Sequence, residues 1–345
     1  MNLEALQERI REAAERKAPL RLRGGGSKDF YGNEPRGELL DTRGYAGIVS
    51  YEPTELVVTA RCGTLLAELE RILGQNGQCL PFEPPHFGPE ATLGGCVATG
   101  MSGPRRASAG ALRDFVLGVK LVDGRGRELA FGGQVMKNVA GYDVARLVAG
   151  SLGTLGLIAE VSLKVLPSPA CELSLELEMS EAAALERMNL WAGQPLPISA
   201  TAWHASRLCV RLSGAEPAVR AAAAKIGGTR VEAGQFWEGV REHRHAFFDG
   251  PQPLWRVAVP SVCPPLGASG DSLIEWGGAL RWLRGAEARA LAAKADGHAT
   301  LFRSQGKRES VFAALDPLVM TLHRRLKAAF DPAGILNPGR LYAEL

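Results

Sequence analysis

The stretch Pro89 to Asp114, PEATLGGCVATGMSGPRRASAGALRD, decides how the rest of the chain is read. Seven of its first fifteen residues are Gly, Ser or Thr, and Arg105, Arg106 and Arg113 follow. Side chains this small carry little apolar area to bury, so the run cannot form a core by itself. It can bring backbone N–H groups close to a large anion, because Gly permits close approach and unusual φ/ψ. The nearby guanidinium groups add charge-assisted hydrogen bonds suited to phosphate. Alone, the stretch reads equally well as a surface loop with scattered arginines.

Two further turns change that balance. Leu20 and Leu22 alternate with Arg21 and Arg23 as in a short strand, which runs into Gly24, Gly25, Gly26 and Ser27. Its spacing matches neither G-x-G-x-x-G nor G-x-x-x-x-G-K-[ST], so it is neither a Rossmann fingerprint nor a Walker loop. A third small-residue turn, Gly150 to Gly156, precedes a strong strand running to Leu166. Three such turns, each tied to a strand, are explained economically by one extended cofactor lying across them.

The 345 residues leave room for two domains, or one domain with an insertion. Hydrophobic content of 46% and charged content of 22% are those of a soluble globular protein. The net charge of +3 and the lack of a Lys/Arg block argue against a nucleic-acid binder. The first residues form a charged amphipathic helix without the apolar centre of a signal peptide, and no window resembles a membrane span. The six cysteines are dispersed with no C-x-x-C pair, which disfavours zinc, iron–sulfur and disulfide frameworks. The expectation is a cytoplasmic protein with no metal site, touching a membrane only through partners.

Along the chain, strands are predicted over 47–51 and 56–61, followed by a helix capped by Thr64. A Pro-rich passage, QCLPFEPPHFG, leads into the central stretch, and 115–133 reads as a hairpin around Asp123-Gly124-Arg125-Gly126. Pro167-Ser168-Pro169 marks a boundary. Beyond it, strands and helices alternate without Gly-rich cradles, as in an α+β cap. The segment GQFWEGVREHRHAFF reads as helix, with the charged cluster 241–244 on its solvated face, and LIEWGGALRWL reads as one strand. A helix over 311–330 and the turn-rich tail DPAGILNPGRLYAEL close the chain.

Taken together, RGGGS, PEATLGGCVATGMSGPRR and GSLGTLGLIAEVSLKVLP resemble the three FAD-contacting segments of the vanillyl-alcohol-oxidase (p-cresol methylhydroxylase) flavoprotein superfamily. The ending FDPAGILNPGR is similar to that of its 2-hydroxy-acid dehydrogenase branch. More narrowly, EPPHFGPEAT, VMKNVAGYDV, AGQFW, WGGALRWL, DGHAT and NPGRLYAEL resemble the family of FAD-binding E-type subunits of bacterial glycolate oxidase. The order and spacing of the motifs carry the match across nearly the whole chain.

The resemblance implies an α+β fold: a p-cresol-methylhydroxylase-type FAD domain over 1–167, with two subdomains divided near Pro84. An inserted α+β cap would cover 168–305, and a C-terminal segment, 306–345, would return to the flavin. It implies that Arg23, Gly24, Gly25, Gly26 and Ser27 cradle the pyrophosphate. Pro89, Thr92, Leu93, Gly94, Gly95, Ala98, Ser102, Gly103 and Arg106 would serve the rest of the cofactor. Gly153 and Ile158 would lie near the adenine end, and Asn337 and Arg340 near the flavin ring. Covalent members place a His in the first Gly-rich turn; Gly24-Gly25-Gly26-Ser27 has none, so FAD is expected to be non-covalent.

Members that oxidise hydroxy acids carry paired histidines around a G-D-G element, whereas this chain offers only His298 in DGHAT. A substrate carboxylate needs a cation and its hydroxyl a base, and Arg340, His298, Tyr142 and Arg281 are the candidates. The implied substrate is glycolate or D-lactate. The implied partners are a larger catalytic flavoprotein and an iron–sulfur subunit that carries electrons onward, placing the chain at the inner membrane face through the complex. A non-catalytic accessory or assembly subunit and a stand-alone 2-hydroxy-acid dehydrogenase remain open alternatives.

Overall fold

The computed structural model describes residues 2–133, 143–306 and 310–345. The chain opens on the helix Leu3–Arg16, where the Asn2 side chain accepts a hydrogen bond from the Ala5 N–H at 3.0 Å. Leu6, Ile10 and Ala13 recur at helical spacing, and all three are buried against strand Leu20–Arg23 and tail residues Ile335 and Leu336.

Two antiparallel sheets organise the remainder. The first has five strands in the order Ile48–Glu52, Val57–Arg61, Leu157–Lys164, Val116–Val122, Glu128–Gly132. Its central strand Leu157–Lys164 is buried along almost its whole length, and the polar residues inside it are paired, Glu160 with Tyr45 and Lys120 and Ser162 with Thr59. The helices Leu66–Gly74 and Leu93–Thr99 contribute to the same core. Thr64 does not cap the first of these helices. Its hydroxyl instead bridges the Gly47 N–H and carbonyl, so it ties two loops together.

The second sheet has eight strands in the order Thr229–Val231, Cys171–Glu178, Arg207–Gly214, Ile198–His204, Ser272–Glu275, Leu280–Arg284, Leu254–Ala258, His298–Arg303. Its helices Glu181–Ala192 and Glu216–Ile226 bury one face of strands Cys171–Glu178, Arg207–Gly214 and Ile198–His204.

Three local expectations are corrected. LIEWGGALRWL is two strands, because Trp276, Gly277 and Gly278 all take positive φ and fold the chain back. The helix Gly234–Arg241 stops before His243, which also has positive φ. Consequently Glu242 is not on a solvated helix face: it is buried, and its carboxylate accepts hydrogen bonds from the N–H groups of His86 and Phe87. The last helix is Pro317–Phe330, and residues before Asp316 are not part of it.

The two sheets meet through a shared apolar cluster in which Tyr31, Met101 and Leu152 pack on Phe247, Trp276, Trp282 and Phe302. Beside it, Glu83 accepts hydrogen bonds from the Arg105 N–H and from the Arg211 guanidinium at 2.8 Å, which links the Pro-rich passage to the second sheet. No helix among the described residues is long and apolar enough to cross a membrane.

Candidate functional site

Strand Leu20–Arg23 pairs in parallel with Glu38–Asp41 and delivers the chain into the loop 24–28. The strand's exit is fixed by the Thr42 N–H, which donates to the Arg23 carbonyl at 2.9 Å. Across from the loop stands the helix Leu93–Thr99, whose N-cap Thr92 accepts from the Gly95 N–H. Glycine is required where these two pieces touch. A Cβ on Gly25 would lie 1.4 Å from the Glu90 carbonyl oxygen, and one on Gly24 would lie 2.2 Å from Thr92 Oγ1. The third small-residue turn joins the same place, with the Gly150 and Leu152 N–H groups donating to the Val97 and Ala98 carbonyls.

These segments wall a cleft of about 830 Å³ of open space. Among the described residues, no protein acceptor takes up the N–H groups of Gly24, Gly25, Gly26, Ser27 or Lys28. A row of free donors beside a loop with no room for side chains is what a bound anion would satisfy. The charges agree. Arg21 and Arg23 both reach Asp29, at 2.6 and 2.7 Å, and Lys28 and Arg340 complete a lining with excess positive charge. Burial pushes the Lys28 ammonium pKa down, and its contacts are the His86 carbonyl at 3.2 Å and the Ser27 hydroxyl at 3.5 Å. Burial also lowers Arg340 to about 10, which leaves it cationic at neutral pH. Arg340 is anchored on the carbonyls of Asn33 and Asp29.

The C-terminal tail closes one wall. Asn337 accepts from the Leu22 N–H at 2.8 Å and donates to the Leu152 carbonyl at 2.6 Å. A Cβ on Gly153 would meet Asn337 Nδ2 at 2.8 Å. The pair assigned by resemblance to opposite ends of the cofactor therefore stand against each other.

A second cavity, of about 370 Å³ of open space, lies between the 101–104 segment and the eight-stranded sheet. Ser102 and Gly103 line it, with Arg241, His243, Arg256, Glu275, Trp276 and Trp282 among the facing residues. Glu275 accepts a 2.7 Å hydrogen bond from Trp282 Nε1, and burial pushes its carboxyl up to about 7. The Arg106 and Arg256 guanidinium groups both lie over the Trp276 ring, at 4.4 and 5.1 Å. Lys28 connects the two spaces: it lines the cleft, and its ammonium sits 5.8 Å from the ring centroid of Phe87, which walls the cavity.

Of the residues singled out from sequence, Arg23, Gly24, Gly25, Gly26, Ser27, Thr92, Gly94, Gly95, Ala98, Gly153, Ile158, Asn337 and Arg340 line the cleft. Ser102 and Gly103 belong to the second cavity, and Arg106 stacks at its edge. Pro89 is exposed and Leu93 is buried in the core of the five-stranded sheet; neither lines a cavity. His298 is exposed at the start of an edge strand. Arg281 is buried with its guanidinium spent on the carbonyls of Gly278, Cys263 and Pro264, so it braces a loop. Tyr142 lies outside the described residues.

Sequence reasoning missed Lys28 and Asp29, which directly follow a motif it did find. It also missed Arg256 and Glu275. For Arg256 and Glu275 the signal was present: a charged residue inside an otherwise apolar strand, LWRVA or SLIE, has to face something polar.

A family model described as an FAD binding domain matches residues 1–132, and one described as the C-terminal domain of FAD linked oxidases matches 305–341. Over 99% of its length the chain is 48% identical to glycolate oxidase subunit GlcE of Escherichia coli (strain K12), covering 98% of that protein. It is 30% identical to glycolate oxidase subunit GlcD of Bacillus subtilis (strain 168), over 53% of this chain and 40% of that one. Among solved structures, p-cresol methylhydroxylase with substrate bound superposes with a TM-score of 0.77, covering 99% of this chain and 88% of that one at 15% identity. That likeness shows the shared fold.

Proposed function

Since the chain belongs to the family of the glycolate oxidase subunit GlcE and is an FAD-dependent oxidoreductase, we propose that it oxidises glycolate, or D-lactate, to the 2-oxo acid. The observation that carries the cofactor's placement is the row of unpaired N–H groups from Gly24 to Lys28, facing a cleft with excess positive charge. Those donors would hold the diphosphate, with Arg21, Arg23 and Arg340 supplying charge and Gly94, Gly95 and Ala98 an apolar wall. When bound, FAD accepts the hydrogen and its electron pair from the substrate carbon. The chain's own part is to hold the cofactor, to position the hydroxy acid and to exclude water.

FAD is held without a covalent bond in this reading. The cleft lining contains no His or Tyr among the described residues, and burial pushes the Cys62 thiol up to about 12, which keeps it from acting as a nucleophile at neutral pH. Acid precipitation of the holoprotein should release all of its FAD into the supernatant; flavin that stays with the pellet would contradict this.

Onward electron transfer goes to a partner subunit or to a diffusible acceptor, and the likeness to a glycolate oxidase subunit favours the first. We assign this to a multisubunit assembly with a larger flavoprotein and an iron–sulfur subunit. The test is turnover of the FAD-loaded chain with glycolate and dichlorophenolindophenol. One glyoxylate formed per two-electron dye reduction supports the proposal. Dye reduction only after a partner flavoprotein is added would favour an accessory role.

A further inference from the structure

The second cavity has a composition that the cofactor does not explain. Arg241 is committed to Glu242 through a 2.8 Å ion pair. Among the described residues Arg256 forms no ion pair; its guanidinium lies over the Trp276 ring, shares a hydrogen bond with the Tyr31 hydroxyl, and has Glu275 as the nearby carboxyl. His243 is stacked flat on Phe248 at 3.9 Å and edge-on to Trp282 at 4.6 Å, so its ring is fixed. Its Nδ1 is buried and has no hydrogen-bond partner. An arginine outside any ion pair and a buried ring nitrogen without a hydrogen-bond partner therefore share one small, aromatic-walled space. Buried polar groups left this way are costly unless a ligand completes them.

We propose that this cavity is the binding site for a small 2-hydroxy acid, its carboxylate paired with Arg256 and its hydroxyl donating to His243 Nδ1. The assignment rests on the reading of the chain as a hydroxy-acid oxidoreductase and adds the residues that select the substrate. Burial and the neighbouring Arg256 and Arg303 hold the His243 imidazole well below its ordinary pKa, so it is neutral and able to accept that hydrogen bond. Phe87, Trp282 and Phe302 close the space around a short carbon chain. Arg256 and His243 replace Arg281 and His298 as the carboxylate and hydroxyl partners.

The test separates binding from turnover. The FAD-loaded protein is reduced photochemically under anaerobic conditions and titrated with glycolate, followed by the fluorescence of Trp276 and Trp282 and by calorimetry. Glycolate should bind, while glycolamide, which has the same shape without the charge, should bind at least about tenfold more weakly. Arg256→Gln should weaken glycolate by about tenfold or more at unchanged FAD content, with Arg256→Lys intermediate. His243→Phe keeps the stack on Phe248; it should weaken glycolate and leave acetate, which has no hydroxyl, unaffected. Equal affinity for glycolamide and glycolate in the wild-type protein overturns the proposal without any variant. Flavin that glycolate reduces equally well in wild type and Arg256→Gln overturns this site alone and leaves the oxidoreductase reading standing. Wild-type protein that neither binds glycolate nor is reduced by it sinks both.

Discussion

At Gly25 the cleft proposed for FAD depends on a missing methyl group. A Cβ there would collide with backbone, the Glu90 carbonyl, and backbone cannot rotate aside as a side-chain tip can. Gly25→Ala should therefore push the 24–28 loop away from Thr92, costing about 1–3 kcal/mol of stability. The FAD content of the purified protein should fall with it, and a variant that retains full flavin absorbance would contradict the cradle. Glu275 supports a prediction of a different kind. Its carboxyl titrates near 7 when folded, against about 4.5 when unfolded, because burial outweighs the Trp282 hydrogen bond and Arg256, while Glu83 adds repulsion. Between those values the folded state holds the extra proton, so stability falls as pH rises from about 4.5 to 7 and is flat on either side. The loss is on the order of 3 kcal/mol. Glu275→Gln should abolish that slope, measured as denaturation midpoints at pH 5 and pH 8, and an unchanged slope would place the titrating group elsewhere.

At the scale of elements, the three Gly-rich turns were legible because each breaks a strand or helix pattern at a place where only small residues stand. The turn at Trp276 was not, since a tryptophan at positive φ gives no local signal and is held by the packing around it. The same holds for the end of the helix at Arg241, where Glu242 leaves the helix pattern to cap two amides 155 and 156 positions away. The tail's docking, by contrast, was announced by its Pro and Gly turns, although its fastening was not. Lys327 is buried and donates to the Thr154 and Leu336 carbonyls and to Asp331, at 2.7–2.8 Å. Asp331 in turn accepts from the N–H groups of Ile335 and Leu336. This links the last helix, the third small-residue turn and the residues leading to Asn337. Lys327→Met would leave Asp331 charged and unpaired in the interior, at a cost of about 3 kcal/mol or more. Thermal denaturation should show that loss, and FAD should dissociate more readily as Asn337 loosens from Leu22. A Tm unchanged from wild type would mean the pair carries no weight.

Across the whole molecule, the cofactor cleft is built by the N-terminal segments and the tail, and the second cavity by one of those segments against the eight-stranded sheet. The division of labour is physical. The cleft offers backbone donors and cations to a large anion, and the cavity offers an arginine outside any ion pair and a fixed imidazole to a small one. Sequence patterns pointed to the first because loops that approach this closely need Gly at fixed places. They did not disclose the second, because Arg256, Glu275 and His243 come together only when separate strands and a turn are assembled. Both sites act on one chain, and the visible spectrum of the purified FAD-loaded protein, taken before and after anaerobic addition of glycolate, is the first experiment. The flavin bands should bleach on glycolate without any partner. Bands that persist unchanged in the presence of excess glycolate would contradict it.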